Sequence, residues 1–186
     1  MDESQLISAL QNHDESAFSI LVTKHEQMVF NTALGMLQNV EDAEDTAQDV
    51  FIQVHGSIKD FKGEAKLSTW MYRITITKCL DRIRRNKTRK RFAVVQSLFG
   101  IRDEMVESTN FYHPGVQMEN KERSAILFKA IARLPDNQKI AFTLHKVEGL
   151  SYHDIAEVMS TTVSAVESYM HRAKQHLKKY LSDFYK

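Results

Sequence analysis

Glycine and proline are so scarce in this chain that few folds other than helical ones are open to it. The 186 residues include 6 glycines and 2 prolines, whereas a sandwich or barrel needs many tight turns built from such residues. Apolar residues recur instead at spacings of three and four, which is typical of α-helices with one buried face. The sequence therefore predicts an all-α protein.

Three long helices are predicted in the first half. The first spans about Glu15 to Leu37 with Asp14 as its N-cap, and the second spans about Glu41 to Ser57. A loop around Gly63 follows, and a third helix runs from about Thr69 to Arg91. We expect these helices to form one small helical domain over residues 1–91, followed by a linker over residues 92–119 that includes a short helix near residues 92–99.

The net charge of +1 results from a cancellation along the chain. Residues 1–60 carry two basic against eleven acidic side chains, a net charge of −9, and residues 61–91 carry eleven basic against two acidic ones, a net charge of +9. The acidic second helix is consistent with a solvated face or with a basic partner. The basic third helix carries more cations than a helix C-terminus needs, and a phosphate backbone is the partner that compensates such crowding.

Aromatic residues stand beside this basic stretch. Trp70 and Tyr72 lie at the start of the third helix, and Phe61 lies in the loop before it. Unstacked bases regain about 1–3 kcal/mol each by stacking on aromatic rings. Trp70 by itself fits a core position better than a stacking platform, so the combination of loop, aromatic residues and cations is the stronger indication of single-stranded nucleic acid binding.

The second half, residues 120–186, carries a helix-turn-helix pattern. Ser151 with Asp154 resembles a capping box, and Thr162 can cap the helix that follows. Ala156 is small enough to lie where two helices cross. The last helix presents residue types that can contact base edges or phosphates, namely Ser164, Glu167, Ser168, His171, Arg172 and Gln175.

Several classes of protein are disfavoured by the sequence. The single cysteine, Cys79, cannot form an intrachain disulfide or a multi-cysteine zinc site. His171 and His176 are five residues apart and do not share a helix face, and no Gly-rich phosphate loop occurs. No catalytic residue, metal or cofactor is predicted. The acidic N-terminus lacks a signal pattern and no apolar stretch is long enough for a membrane span, so we expect a cytoplasmic protein without membrane insertion.

The two halves together resemble the extracytoplasmic-function (ECF) subfamily of bacterial RNA polymerase sigma factors, which has only sigma regions 2 and 4. In the first half the matching segments are Asp42-Ala-Glu-Asp45, Gln48-Asp-Val-Phe51, Ser68-Thr-Trp-Met-Tyr-Arg-Ile74 and Arg84-Arg85. In the second half they are Leu134-Pro135, Glu148-Gly-Leu-Ser-Tyr152, Asp154-Ile-Ala-Glu157, Ala165-Val166 and Arg172-Ala173.

This resemblance implies a division of functions among the candidate residues. The second helix is then the surface that docks on core RNA polymerase, through Asp42, Asp45, Gln48, Asp49 and Ile52. The loop and third helix are the reader of the −10 promoter element, which flips out a non-template base, through Lys62, Gly63, Lys66, Ser68, Trp70, Arg73, Arg84 and Arg85. The last helix reads the −35 element as duplex, through the six residues named above.

Two further expectations follow from the resemblance. Members of the subfamily are commonly held inactive by an anti-sigma factor, so a second protein partner is expected. Glu167 stands where many members have a lysine; it cannot neutralise a phosphate but can accept a hydrogen bond from a cytosine amino group. The alternative is a stand-alone helix-turn-helix regulator, which binds duplex DNA without polymerase and leaves the acidic helix unexplained.

Overall fold

The computed structural model describes the backbone of residues 2–98 and 121–182, and the side chains of residues 2–89 and 125–182. These ranges contain helices and no strand, as the all-α prediction requires. The helices are α1 (Glu3–Gln11), α2 (Glu15–Leu37), α3 (Val40–Ser57), α4 (Leu67–Leu98), α5 (Lys121–Ala132), α6 (Asp136–Lys146), α7 (Tyr152–Val158) and α8 (Val163–Ser182), with a 3₁₀ turn at Ile58–Asp60.

The first domain consists of α1 to α4. The predicted N-cap of α2 is confirmed, because the Asp14 carboxylate accepts hydrogen bonds from the backbone N–H groups of Ser16 and Ala17. Helices α2, α3 and α4 pack against one another, and α1 packs against α2 and the 3₁₀ turn. Their buried faces meet in one apolar core that includes Leu21, Val29, Val50, Val54 and Met71.

Helix α4 is longer than the sequence predicts. It begins at Leu67 rather than Thr69 and continues to Leu98 rather than ending at Arg91. The expected short helix near residues 92–99 is therefore, up to Leu98, the continuation of α4. Residues 99–119 of the expected linker lie outside the described residues.

The second domain consists of α5 to α8. Helix α8 packs against α5, α6 and α7, and its buried stripe is Val166, Met170, Ala173 and Leu177. Ser151 caps α7 by accepting a hydrogen bond from the Asp154 N–H, and the Thr162 hydroxyl accepts one from the Ala165 N–H at the start of α8. Both predicted caps are thus confirmed.

The two domains pack against each other. One apolar cluster joins Met36, Ile76 and Cys79 of the first domain to Leu144 and Ile155 of the second. Gly35 of α2 lies at a close approach of the two domains, because a Cβ at this position would be 2.5 Å from Thr143 Cγ2 of α6. Within the described ranges, no helix is long and apolar enough to cross a membrane.

Candidate functional site

The outward face of α3 is an acidic row that ends in an exposed isoleucine. Asp45, Gln48, Asp49 and Ile52 are all exposed, and their spacing of three to four places them on one face of the helix. Ile52 is 70% exposed. A large apolar side chain one turn from the Asp49 carboxylate, on a helix whose other side is in the core, has the composition of a contact surface.

Asp42 differs from the rest of this predicted set. It is half-buried, and its carboxylate accepts hydrogen bonds from Arg82 Nε at 2.9 Å and from Asn86 Nδ2 at 3.3 Å. Arg82 Nη2 also lies 2.9 Å from Asp45 Oδ2. Asp42 therefore links α3 to α4, and Asp45 contributes to the same link. The other exposed residues of the row, Gln48, Asp49 and Ile52, do not take part in it.

The loop of residues 62–66 connects the 3₁₀ turn to α4. Lys62, Gly63 and Lys66 are exposed, and Gly63 has a φ of +72°, which favours glycine. The loop and the start of α4 enclose an open cavity of about 180 Å³. It is lined by Asp60, Phe61, Lys62, Glu64, Ala65, Trp70 and Arg73. Two aromatic, two basic and two acidic side chains thus meet at one concave site.

Trp70 is partly buried in this site. Its ring packs against Phe61 with 5.1 Å between ring centroids and 44° between the ring planes. The Trp70 side chain also contacts the core of the first domain, so the core interpretation and the binding interpretation are both compatible with its position. Ser68, now within the first turn of α4, is half-buried.

The polar side of α4 is exposed and basic. Arg84 is exposed and pairs with Asp81 at 3.3 Å, and Arg85 is exposed one residue later. Lys87 and Arg89 are exposed as well, and the side chains of Lys90 and Arg91 lie outside the described residues. This helix therefore offers a solvated row of cations that a polyanion can approach.

The second domain contacts the start of α4 through polar groups. Arg73 Nε donates to the carbonyl of Val158 at 3.2 Å, and Arg73 Nη2 donates to the carbonyl of Glu157 at 2.6 Å, at the end of α7. The Tyr72 hydroxyl donates to Glu148 Oε2 at 2.9 Å. Tyr72 and Arg73, near the start of α4, are therefore already hydrogen-bonded to the second domain.

These contacts between the domains include unfavourable terms. Burial raises the pKa of the Glu148 carboxyl, and its second oxygen, Oε1, is buried without a hydrogen-bond partner in the described part of the chain. Burial lowers the pKa of Lys139, which is 5% exposed and senses the like charge of Lys87. The apolar cluster between the domains is thus opposed by the partly buried Glu148 carboxylate, and the second domain carries a further desolvated charge in Lys139.

The six residues predicted on the last helix are all exposed on α8, opposite its buried stripe. The Gln175 and His171 side chains lie 2.9 Å apart. Helix α7 precedes α8 across a short turn in which Ser160 has a φ of 50°, and Ala156 is buried where the two helices pack. This is the geometry in which a second helix can enter the DNA major groove.

Sequence reasoning missed two residues that contact the loop. Gln11 Nε2 donates to the Phe61 carbonyl, and Glu3 Oε1 accepts from the Leu67 N–H, each at 3.1 Å. Both lie on α1, which was not predicted. Its signals were present, because Asp2 and Gln5 form a capping box and Leu6 and Leu10 are four residues apart.

Comparison with known proteins agrees with this arrangement. Residues 21–89 match the family model of Sigma-70 region 2, and residues 124–177 match that of Sigma-70, region 4. The chain is 30% identical to the ECF RNA polymerase sigma-E factor of Haemophilus influenzae over 96% of this chain and 94% of the relative. It is 29% identical to the RNA polymerase sigma-H factor of Pseudomonas aeruginosa over 96% of this chain and 93% of the relative.

Two solved structures have a similar fold. CnrH, in complex with the cytosolic domain of CnrY, aligns with a TM-score of 0.68 and 20% identity over 97% of both chains. The sigma factor RpoE of Bartonella quintana, in complex with the anti-sigma factor NepR, aligns with a TM-score of 0.58 and 21% identity over 89% of this chain and 96% of that chain.

Fold and matches together define a two-domain sigma factor of the sigma-70 type. The chain belongs to the family of ECF RNA polymerase sigma factors. It is accordingly a transcription initiation factor, not an enzyme: it binds core RNA polymerase, recognises promoter DNA and directs its melting. The stand-alone regulator is not supported.

Proposed function

We propose that this sigma factor divides its work among three surfaces, one for polymerase and two for DNA. The observation that carries the proposal is the exposed row on α8, because its six polar side chains lie opposite a fully buried apolar stripe. Such a helix is free to lie in a duplex groove while its other side stays anchored to the domain. In this role α8 reads the −35 element.

The α3 face docks on core RNA polymerase. Gln48, Asp49 and Ile52 form its centre, and Asp45 contributes at its edge while also pairing with Arg82. Carboxylates around an apolar anchor favour a basic partner surface with an apolar pocket. Asp42 supports this face indirectly, since its contacts with Arg82 and Asn86 hold α3 against α4.

The loop of residues 62–66 and the start of α4 capture the −10 strand. A flipped base enters the cavity beside Trp70, and the cost of unstacking it, a few kcal/mol, is offset by contacts in that cavity. Lys62 and Lys66, which are both exposed, contact the phosphates on either side of this base in the proposed complex. Arg84 and Arg85 extend the same strand or duplex contact along α4.

Reading the −10 strand requires the domains to separate. Tyr72 and Arg73 are held by Glu148 and by the carbonyl groups at the end of α7, so DNA cannot use them in this arrangement. The partly buried Glu148 carboxylate, whose Oε1 lacks a hydrogen-bond partner in the described part of the chain, lowers the cost of separation because it regains water when the domains part. Docking on polymerase and on promoter DNA then favours the open form.

A further proposed partner is an anti-sigma factor. CnrH and the RpoE of Bartonella quintana, which share this fold, were each solved with a protein bound, the latter with an anti-sigma factor. The surfaces that such a partner would cover here are the α3 face and the cleft between α4 and the second domain. We place the protein in the bacterial cytoplasm, where its polymerase and DNA are found.

Selection from a random duplex library tests this proposal. Core RNA polymerase freed of sigma is incubated with the library, with and without the chain, and retained DNA is sequenced. We expect two sequence blocks that appear only with both proteins. Arg172→Ala should weaken the upstream preference and Trp70→Ala the downstream one. Enrichment of one palindromic site by the chain alone would instead indicate an independent regulator.

A further inference from the structure

Helix α1 packs against the residues that flank the 62–66 loop on both sides. Leu6 and Leu10, which are 4% and 3% exposed, share an apolar cluster with Ile58 and Phe61 before the loop and with Leu67 after it. The apolar stripe of α1, which packs on α2 and the 3₁₀ turn, therefore shares one buried cluster with the residues at both ends of the proposed strand-binding loop.

Two hydrogen bonds from α1 fix those ends. At the first end, Gln11 Nε2 donates to the Phe61 carbonyl at 3.1 Å. At the second, the Glu3 carboxylate accepts from the N–H of Leu67, the first residue of α4, at 3.1 Å. A helix leaves its first N–H groups without internal partners, and the preceding Lys66 has no acceptor in its side chain. Glu3 thus caps α4 from another helix.

The loop itself has little to hold it. In the described part of the chain, no hydrogen bond joins one backbone group of residues 62–66 to another within the loop. The Lys66 contact with Asp154 is long, 3.9 Å, and exposed. Helix α1 is itself well fixed, because the Asp2 carboxylate and the Gln5 side chain form a reciprocal capping box. The ends of the loop are joined to the neighbouring helical turns, because the Phe61 N–H donates to the Ile58 carbonyl and the Trp70 N–H donates to the Lys66 carbonyl, each at 3.1 Å. Helix α1 adds one further hydrogen bond at each end, and these two bonds link the ends to each other through a single helix.

We propose that α1 presets the strand-binding loop, with Glu3 and Gln11 as positioning residues for capture of the −10 strand. This inference rests on the proposed function of the loop. A loop held in its binding shape loses less conformational freedom when the strand arrives, so the affinity for single-stranded DNA rises. Binding of duplex DNA by α8 and binding of polymerase by α3 do not depend on this loop.

Four variants of the full chain test the inference. Glu3→Ala removes the acceptor, and Gln11→Glu keeps the shape of the side chain but removes its donor. Glu3→Gln keeps an oxygen acceptor and should behave like the unmodified protein. Ser8→Ala, at an exposed position of α1, is the control for general effects on that helix.

The first readout is hydrogen exchange of the free chain, which needs no DNA. We expect faster exchange of the amides of residues 62–67 in Glu3→Ala and Gln11→Glu, and no change in α3 or α8. Unchanged exchange in the 62–67 segment would overturn the inference, even if the promoter role of the loop were correct.

The second readout is binding of the holoenzyme to a single-stranded oligonucleotide that the unmodified holoenzyme selects from a random pool. Loss of one such hydrogen bond should weaken binding about fivefold, while binding to selected duplex stays unchanged. A small fall in melting temperature accompanies it, because Glu3 caps α4. Equal loss of both affinities would mean a merely structural role and would overturn the inference. If the unmodified holoenzyme selects no oligonucleotide, the proposed function fails, and the exchange readout still decides the inference.

Discussion

Glu167 is the residue that most distinguishes the DNA-reading helix of this chain. It is exposed in the middle of the α8 row, where a carboxylate can accept a hydrogen bond from a cytosine amino group but cannot contact a phosphate. We expect Glu167→Ala to relax the preference at one duplex position. Binding to duplex with the preferred base there should weaken by about 1–3 kcal/mol, and binding to duplex with another base should not change.

The control variant for this prediction is Lys174→Ala, which removes an exposed cation from the same helix. Because a lysine meets phosphates rather than base edges, that variant should lose affinity equally for all sequences. Sequencing of selected duplexes checks both. If Glu167→Ala also lowered binding uniformly, Glu167 would have no role in base recognition.

His25 makes stability depend on pH. It is buried in α2, and burial, together with the nearby Lys24, lowers the pKa of its imidazole despite the opposing effect of Glu3. As pH falls through about 6.5, the unfolded chain takes up a proton that the folded chain resists, so stability decreases. The stability that a neutral His25 confers is present above the unfolded pKa and is lost below it.

The corresponding measurement is urea unfolding between pH 7.5 and 5.5. We expect His25→Gln to reduce the loss of stability over this range, whereas His153→Gln, at an exposed position, should keep it. An identical loss in both variants would show that His25 is not the group responsible.

At the level of helices, the bounds are best predicted where the sequence carries both a capping residue and a regular apolar spacing. Helix α2 was predicted from Glu15 to Leu37 and has those bounds, because Asp14 caps it and apolar residues recur at spacings of three and four along it. Helix α1 was missed because nine residues are too few for a clear period. The continuation of α4 past Arg91 was missed because a run of basic residues interrupts its apolar stripe.

The exposed cations of α4 should act on all DNA sequences alike. We expect Arg84→Ala with Arg85→Ala to weaken holoenzyme binding to DNA generally and to lower the salt slope of log K by about two, since each phosphate contact contributes about 0.9. Titrations at several salt concentrations measure this. Lys24→Ala with Lys129→Ala removes two exposed cations elsewhere; an equal effect there would contradict a specific role for α4.

At the scale of the whole molecule, the contact between the domains was beyond sequence reasoning. Arg73 was predicted as a DNA contact from its place in the basic stretch, yet its present partners are backbone carbonyls 84 and 85 residues away. Backbone carbonyls have no sequence signature, and the length of the linker permits either a closed or an extended form. The α4 and α8 surfaces could be predicted from residue types and spacing and the α3 face from the family resemblance, whereas their partial coverage could not.

A substitution at Gly35 should separate the two domains. A methyl group there would lie 2.5 Å from Thr143 Cγ2, whereas one at Gly56, also in a helix, would meet nothing within 4 Å. Alanine favours a helix over glycine by about 1 kcal/mol at either site. We expect Gly35→Ala to increase the radius of gyration in X-ray scattering and Gly56→Ala to leave it unchanged. Equal radii in both variants would exclude Gly35 as the site of closure.

The central claim is that the α3 face binds core RNA polymerase, and co-elution tests it most directly. Asp49→Lys with Ile52→Arg changes the exposed part of that face without breaking the pairs of Arg82. Glu26→Lys with Ile20→Arg makes the same two changes on exposed positions of α2. We predict that only the α3 variant fails to co-elute with sigma-free core polymerase. Undiminished co-elution of the α3 variant would contradict the claim.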